Sequence, residues 1–352
     1  MSIVKFSEVA HRAYTREDRF NTEKIYYVGG EHIDSCELYV TKKGVIKGST
    51  IGPMFYCGFT AGQILFVTRN PHLKKCSIAD FDGICSEKTF VIETKDESIL
   101  TQEYLAIIMQ SDDFWNYCEE NKSGGVNYFL NWSTLADYEF ELPPIKQQLE
   151  IAQKVMSAYR LKQSYKKLLD ATREMVKSQF IEMFKGDNQV PLGDICNIEK
   201  GATITRNDVL PGEVPVVAGG QEPSCYHNVA NREAGAITVS ASGAYAGYIN
   251  FWNCPIFASD CNTIISKDDE KTDQTFVYFG LRAMQKQIYG LQKGGAQPHV
   301  YGKDLQKFMF TCTSYAKQIE FSKMAKQADK SEFELRKSIE AIDQVIKSLI
   351  NN

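Results

Sequence analysis

The chain has 352 residues, of which 43% are hydrophobic and 24% charged, and its formal net charge at pH 7 is −4. This length allows two domains with substantial cores, and the composition is that of an ordinary globular protein. No apolar run reaches the roughly 20 residues of a membrane-spanning helix and the N-terminus has no hydrophobic signal core, so we expect a cytoplasmic protein outside the membrane.

Cysteine content and local charge further restrict the possible functions of the chain. The ten cysteines are scattered without a C-x-x-C pair, which argues against a disulfide framework and a zinc site. Only residues 143–187 have a clear excess of basic residues, with nine Lys and Arg against five Asp and Glu. A contact with nucleic acid would therefore depend on local basic clusters or on a more basic partner.

Residues 1–142 alternate short apolar runs with turn residues. The runs at 25–28, 64–67 and 89–92 are rich in β-branched and aromatic residues and predict strands of a twisted, partly closed sheet. Residues 104–117 have a helical period. We expect a mixed domain in which strands dominate.

A long helix is predicted over residues 143–187. Pro143 and Pro144 can begin a helix but cannot lie inside one, and Gly186 supplies its end. An unbroken helix here would span roughly 60 Å at about 1.5 Å per residue. Its apolar side chains recur at steps of three and four residues, which predicts a packing partner along its length. This apolar series comprises Ile145, Leu149, Ala152, Met156, Tyr159, Leu161, Tyr165, Leu168, Leu169, Met175, Val176, Phe180 and Phe184.

Residues 188–312 repeat the order of residues 1–142. A constant shift pairs Gly124-Gly125 with Gly294-Gly295 and, further along, Gln148 with Gln318. Strands are predicted in this copy at 214–217 and 236–240. The chain therefore has the order domain, helix, domain, helix.

The second long helix is predicted within residues 313–352, from near Ser314 to Ile350. Its apolar residues recur at alternating steps of four and three: Leu335, Ile339, Ile342, Ile346 and Leu349. We hypothesise that the two long helices pack antiparallel and place the two domains at opposite ends, related by a pseudo-two-fold axis.

Signatures of catalysis are missing from the sequence. It contains no phosphate loop, no H-E-x-x-H and no G-x-S-x-G motif. Residues 240–247 (SASGAYAG) form its most Gly- and Ser-rich stretch, and without a lysine and a helix start this stretch favours a tight turn over a nucleotide site. We expect a protein without catalytic residues, metal or bound cofactor.

Four short motifs accompany the repeat. The second domain opens with residues 190–195 (VPLGDI) and closes with residues 294–300 (GGAQPHV). The first domain contains the segment 81–86 (FDGICS) and joins its helix through residues 141–152 (ELPPIKQQLEIA). In these motifs, in the repeat and in its joining helices, the sequence resembles the specificity subunits of type I restriction–modification systems over nearly the whole chain.

Two segments depart from the pattern of that family. The second junction, TCTSYAKQI at residues 311–319, lacks the prolines of the first. The first domain has GVNYF at residues 125–129 in place of GAQP. These departures argue against transferring a base-reading role from one domain to the other.

The resemblance implies an α+β fold with two repeated, β-rich target-recognition domains, residues 1–142 and 188–312. Two long antiparallel coiled-coil helices, residues 143–187 and 313–352, would join them with pseudo-two-fold symmetry. Each domain would read one half of a split sequence in double-stranded DNA, with the gap fixed by the helices. The chain itself would be non-catalytic and hold no cofactor. Two methyltransferase subunits docked on the helices would bind S-adenosylmethionine and methylate adenine, and motor–nuclease subunits, where they exist, would cleave.

Candidate DNA contacts are basic, hydroxyl, amide or aromatic residues on predicted loops. A single surface lysine is equally consistent with a solvated charge, a glutamine or serine with a turn hydrogen bond, and Tyr128 or Tyr301 with core packing. The candidates in the first domain are Lys42, Lys43, Lys47, Arg69, Lys74, Lys75, Lys122, Asn127 and Tyr128. Those in the second domain are Arg206, Gln221, Ser242, Tyr245, Lys293, Gln297, His299, Tyr301 and Lys303.

Two rival interpretations remain at this point. Within the same class, the chain could serve a methyltransferase-only or phage-exclusion system. From a different class, it could be a structural adaptor whose repeated domains bind proteins.

Overall fold

A computed structural model describes residues 2–351 of the chain. The chain divides into two compact units, one formed by Met1–Tyr165 with Ser338–Asn352 and the other by Lys166–Lys337. Each long helix thus contributes one part to the first unit and one part to the second.

In the part of the chain that the structure describes, the first unit contains eleven strands in three sheets. Their order is β1–β11 in the smallest sheet, β2–β10–β7–β8 in the second and β3–β6–β9–β4–β5 in the third. The strands are β1 Ser2–Lys5, β2 Ala10–Arg12, β3 Thr15–Arg16, β4 Tyr26–Val28, β5 Gly44–Val45, β6 Phe55–Phe59, β7 Ile64–Val67, β8 Cys76–Ile78, β9 Gly83–Ser86, β10 Thr89–Thr94 and β11 Glu139–Leu142. The predicted strands at 25–28, 64–67 and 89–92 correspond to β4, β7 and β10.

Within residues 2–351, four short α-helices and a 3-10 helix at Pro71–Leu73 complete this unit, and the α-helices pack on the four-stranded sheet. They are α1 Phe6–Val9, α2 Gln102–Ile108, α3 Asp112–Glu120 and α4 Trp132–Ala136. The core contains Phe66 of β7, whose ring stacks on that of the fully buried Trp115 of α3 with centroids 5.7 Å apart. A second, smaller core that includes Val28, Phe59 and Cys85 supports the five-stranded sheet.

The second unit repeats the first two sheets and has a shorter third one. The orders are β12–β20, then β13–β19–β16–β17, then β15–β14–β18. The strands are β12 Asn188–Pro191, β13 Cys196–Lys200, β14 Val214–Val217, β15 Cys225–His227, β16 Ala236–Ser240, β17 Ile249–Trp252, β18 Phe257–Ala258, β19 Cys261–Ser266 and β20 Met309–Cys312. Its short helices are α6 Leu192–Ile195, α7 Gln274–Ala283, α8 Gln285–Tyr289 and α9 Gly302–Gln306.

The two long helices are α5, Ile145–Met183, and α10, Tyr315–Asn351. Gly186 follows α5 with φ of 86°, a conformation that suits glycine and ends the helix as predicted. In the second unit, Phe180 of α5 packs against Phe321 of α10 with ring centroids 5.4 Å apart.

Within each unit the segments of α5 and α10 run antiparallel. In the first unit, Ile151 and Ile350 line one cavity, and Lys162 lies 2.7 Å from Asp343, earlier in α10. In the second unit, Arg173 lies 2.9 Å from Glu332, and Lys317 lies 3.4 Å from Asp187 beyond the end of α5. Ion pairs therefore accompany the apolar contacts along both segments.

The apolar series predicted along α5 does not form one buried face. Ala152, Met156 and Tyr159 are buried in the first unit, as are Leu169, Val176, Phe180 and Phe184 in the second. Four members face solvent instead, because the seam changes position along the helix: Leu149, Leu161, Leu168 and Met175.

Across the described chain, none of the helices has the length and apolar content that crossing a membrane requires.

Candidate nucleic-acid interface

The same glycine loop occurs once in each unit. Ser123 and Phe129 exchange two backbone hydrogen bonds of 2.8 and 2.9 Å, and Lys293 and His299 do the same at 2.9 and 2.8 Å. Gly124 and Gly294 both have φ of 98°, and a Cβ atom on either would lie 2.7 Å from the carbonyl oxygen of Asn127 or Gln297. Glycine is therefore required at this position of both loops.

In the second unit this loop packs on the turn that follows β16. The Gly243 N–H donates to the Pro298 carbonyl at 3.0 Å, and the Val300 N–H donates to the Ala241 carbonyl at 2.9 Å. The Ser242 hydroxyl donates to the Asp260 carboxylate, so it faces inward and stabilises the turn. Residues 240–247 thus form the tight turn that was predicted, with Tyr245 exposed beside the loop.

Basic and aromatic side chains gather around the second loop. Lys293 Nζ lies 2.8 and 2.7 Å from the two carboxylate oxygens of Asp304. The imidazole of His299 stacks on the ring of Tyr301, with centroids 6.0 Å apart, and Lys303 Nζ lies 5.6 Å from that ring. The structure therefore brings Lys293, His299, Tyr301 and Lys303 to one surface.

The remaining candidates of the second unit lie on exposed segments. Gln297 is at the tip of the glycine loop. Arg206 belongs to a turn closed by hydrogen bonds between Thr205 and Asp208. The Gln221 carbonyl accepts a 2.9 Å hydrogen bond from Asn250 Nδ2, which leaves the Gln221 side chain exposed.

The loop of the first unit is supported differently. Lys122 Nζ lies 2.6 Å from Glu119 Oε2 and 4.5 Å from the centroid of Tyr128. The Arg69 guanidinium lies 5.2 Å from the centroid of Phe129, while Asn127 is exposed at the loop tip. Arg69, Lys122, Asn127 and Tyr128 are therefore neighbours.

Three of the other lysines in this unit lie near β4 and β5. Lys42 Nζ lies 2.7 Å from Asp34 Oδ1, and this hydrogen bond is the main reason why the pKa of Asp34 is lowered; the charge of Lys75 adds to it. Lys75 Nζ donates to the Gly30 carbonyl at 2.5 Å. Lys43 Nζ lies 3.9 Å from the ring of Tyr26.

The last two lysine candidates have different surroundings. Lys74 has φ of 48° and lies 3.6 Å from Asp112, whereas Lys47 is exposed in the turn before Gly48. Between residues 2 and 351, no ion pair, side-chain hydrogen bond or ring contact joins Lys42, Lys43 or Lys47 to the loop at 124–128.

Carboxylates next to the candidate lysines were not predicted from the sequence. Asp34, Asp112, Glu119 and Asp304 each form an ion pair with one of these lysines. Glu119 lies on α3 and Lys122 lies just beyond the end of that helix. Their spacing of three residues could have predicted this ion pair, because residues three apart on a helix face each other. The other three pairs depend on tertiary contacts. No cluster of three or more potential metal ligands occurs in residues 2–351.

Comparisons with known proteins show what this chain is similar to. Residues 186–343 match the family model "Type I restriction modification DNA specificity domain". The chain is 26% identical over 133 residues to the type I restriction enzyme EcoDI specificity subunit of Escherichia coli, covering 37% of this chain and 29% of that protein. The chain therefore spans less than a third of the length of this curated relative.

Solved structures show the same fold over almost the whole chain. The S subunit of a type I restriction–modification system from M. genitalium superimposes with a TM-score of 0.67 at 15% identity, covering 99% of this chain and 94% of that one. A chain from a study of the assembly and conformational transition of the type I R-M system gives a TM-score of 0.56 at 17% identity, covering 99% and 96%.

The predicted fold class, two β-rich domains joined by long helices, is confirmed. The resemblance of the sequence to type I specificity subunits is confirmed, and the family match covers residues 186–343.

Proposed function

We propose that this chain is the sequence-specific DNA-binding subunit of a type I restriction–modification complex. Residues 1–142 and 188–312 would each read one half of a bipartite target, and the long helices would fix the gap between the halves. The observation that carries this proposal is the duplicated glycine loop, whose backbone geometry is the same in both units while its exposed residues differ.

The surroundings of the loops support a DNA contact. Lys303 and Lys122 lie beside the rings of Tyr301 and Tyr128, so charge and aromatic surface occur together next to exposed amide side chains. Lysines supply contacts to phosphates, while Asn127 and Gln297 can donate to and accept from the edge of an adenine. Because the net charge of the chain is −4, a more basic partner would share the phosphate contacts.

Catalysis would belong to partner subunits. Two methyltransferase subunits that bind S-adenosylmethionine would dock on the long helices, and motor–nuclease subunits would join them for cleavage. The exposed apolar residues of α5 support a docking role, since Leu161 in the first unit and Leu168 in the second are each about half exposed. The complex would act on chromosomal DNA in the cytoplasm.

The test is a map of methylated adenines across the host genome, with and without this gene. We expect one split motif to disappear when the gene is deleted and to return when it is restored. Replacing residues 188–312 with the equivalent segment of a relative should change only one half of that motif. A strain that keeps the methyltransferase gene and lacks only this chain is the control.

Other outcomes separate the rival interpretations. A motif that depends on this gene, in a host that does not restrict unmethylated plasmids, would identify a methyltransferase-only system. If no motif disappears although the methyltransferase is expressed, directed methylation is refuted and a protein-binding adaptor becomes the better explanation.

A further inference from the structure

The four arginines of residues 1–142 share an unusual environment. Each guanidinium lies over an aromatic ring: Arg12 is 4.4 Å from the centroid of Phe90 and 5.3 Å from that of Tyr14. Arg16 is 5.0 Å from Tyr56, Arg19 is 4.2 Å from Phe20, and Arg69 is 5.2 Å from Phe129.

These arginines differ from the nearby lysines in their electrostatic partners. Lys42, Lys74 and Lys122 each form an ion pair with a carboxylate. Within residues 2–351 no carboxylate lies within ion-pair distance of Arg12, Arg16, Arg19 or Arg69. The arginine charges are therefore not compensated by a neighbouring acid.

Acidic residues next to the arginines in sequence are already engaged elsewhere. Glu17 accepts a 3.0 Å hydrogen bond from the Thr22 hydroxyl and lies 3.8 Å from Lys24 Nζ. Asp18 accepts a 3.0 Å hydrogen bond from the Phe20 N–H. The carboxylates of Glu17 and Asp18 are therefore bound to partners other than the arginines.

Three of the arginines lie in one segment, residues 12–19, which supplies an edge strand to each of two sheets. Arg12 ends β2, an edge strand of the four-stranded sheet, and Arg16 ends β3, an edge strand of the five-stranded sheet. The charges of Arg12 and Arg16 both act on the thiol of Cys57. The pKa of Cys57 is lowered chiefly by a hydrogen bond with Cys85, and the charges of both arginines contribute. Arg19 follows in the turn after β3.

The hydrogen-bond donors of this segment are not satisfied within the described chain. The Nε atoms of Arg12 and Arg19 are shielded from solvent and have no hydrogen-bond partner in residues 2–351. Stacking on a ring occupies only the face of a guanidinium, and the terminal N–H groups in its plane remain available to an acceptor. Such a planar fork suits a phosphate or the edge of a guanine.

We infer that Arg12, Arg16 and Arg19, held on the rings of Tyr14, Phe90, Tyr56 and Phe20, form a DNA contact surface in the first unit. This inference rests on the proposed function and adds a surface outside the glycine loop. The aromatic rings fix the direction of each guanidinium before DNA arrives, which reduces the entropy lost on binding. The arginines supply the stronger contacts in this unit, because the charges of the paired lysines are already partly compensated.

The experiment measures binding of the full chain, with its methyltransferase partner, to a duplex that carries the methylated motif. We expect the double substitution R16Q/R19Q to weaken binding at least tenfold and to reduce the salt slope by about one for each phosphate that the variant no longer binds. A weakening confined to one base pair of the motif would instead assign the arginines to a guanine; either form of weakening supports the surface. The matched control is K5Q/K271Q, which also removes two positive charges, from exposed lysines paired with Asp137 and Asp268, and should change affinity less than twofold.

The outcomes distinguish this inference from the proposed function. If the wild-type complex binds its motif and R16Q/R19Q binds with the same affinity and salt slope, the arginine surface is refuted while the proposed function stands. If the wild type shows no preference for any split motif, both fail. Unchanged thermal unfolding of R16Q/R19Q verifies that weaker binding does not come from unfolding. If the double variant unfolds at a lower temperature, binding by the single variant R16Q decides instead, because Arg16 is exposed.

Discussion

Gln148 and Gln318 make the same three hydrogen bonds, one set in each unit. Gln148 Oε1 accepts from the Thr101 N–H, and its Nε2 donates to the carbonyls of Ile99 and Pro143. Gln318 Oε1 accepts from the Asp273 N–H, and its Nε2 donates to the carbonyls of Lys271 and Thr313. Each glutamine thereby joins the start of a long helix to the N-cap of a short one.

This arrangement predicts a large stability difference between two adjacent glutamines. Gln148→Ala should lower the free energy of unfolding by about 3 kcal/mol, because it leaves buried backbone groups without partners. Gln147→Ala, at an exposed position on the same turn, should change it by less than about 0.5 kcal/mol. Urea denaturation of the two variants makes the comparison, and equal midpoints would contradict it.

The glycine loop of the second unit can be tested by a pair of alanine substitutions. Gly294→Ala places a Cβ atom 2.7 Å from the Gln297 carbonyl oxygen at a positive φ, and should cost about 1–3 kcal/mol of local stability. Gly295→Ala meets no atom within 4 Å and should be tolerated. In methylation maps, Gly294→Ala should weaken recognition of one half of the motif only. Similar effects of the two variants would show that the loop geometry is not required.

Lys293 and Lys303 should differ in their effect on DNA binding. Both substitutions to Ala should weaken binding to all sequences and flatten the salt dependence, since lysines contact phosphates. Lys303→Ala should have the larger effect, because the charge of Lys293 is compensated by Asp304 at 2.7 Å. Conversely, Asp304→Asn should strengthen binding to all DNA. Salt titrations of the three variants measure this, and an unchanged slope for Lys303→Ala would exclude it from the phosphate contacts.

The first unit should lose stability in alkali through Tyr159 and Lys162. Burial raises the pKa of Tyr159, and the charge of Glu37, which accepts its hydroxyl at 2.8 Å, raises it further. Burial lowers the pKa of Lys162, but hydrogen bonds and charges of Asp343 and Glu37 outweigh this and raise it overall. Both contributions to stability are complete below the unfolded pKa values of about 10 to 10.4, and both are lost as pH rises through the higher folded values.

Tyr159→Phe separates the tyrosine from the other groups. It should lower stability by about 1 kcal/mol at pH 8 through the missing hydrogen bond, and should make the decline above pH 10 less steep. Denaturation midpoints between pH 8 and 11 give both quantities. Tyr245→Phe, at an exposed position in the second unit, should follow the wild type. A decline as steep in Tyr159→Phe as in the wild type would exclude this residue from the transition.

Local patterns in the sequence predict the elements better than the contacts between them. The prolines at 143–144 and Gly186 bracket α5 correctly, since backbone constraints act within a few residues. The exposure of Leu149 and Leu161 was not predictable, because only tertiary packing determines which turns of a long helix are covered. The ion pair of Lys293 with Asp304 was not predictable for the same reason, because it forms only when α9 packs next to Lys293.

The arginine segment did have a signal in the sequence. In HRAYTREDRF, residues 11–20, Arg12, Tyr14 and Arg16 alternate, as side chains on one face of an extended chain do, and Arg19 precedes Phe20. The predicted DNA contacts favoured lysines beside glycines and omitted this segment. The pattern does not predict that the rings of Tyr56 and Phe90, which belong to other strands, lie next to these arginines.

The glycine loops also bear on how this protein can change over evolutionary time. Each loop is closed by backbone hydrogen bonds and one positive-φ glycine, so residues 125–127 and 295–297 contribute little to holding its shape. Mutations at these tips can therefore accumulate without refolding the sheet beneath them. Under the proposed function, a lineage could exchange the tip of one loop, keep the other and gain a new specificity in a single unit while the inherited scaffold stays intact.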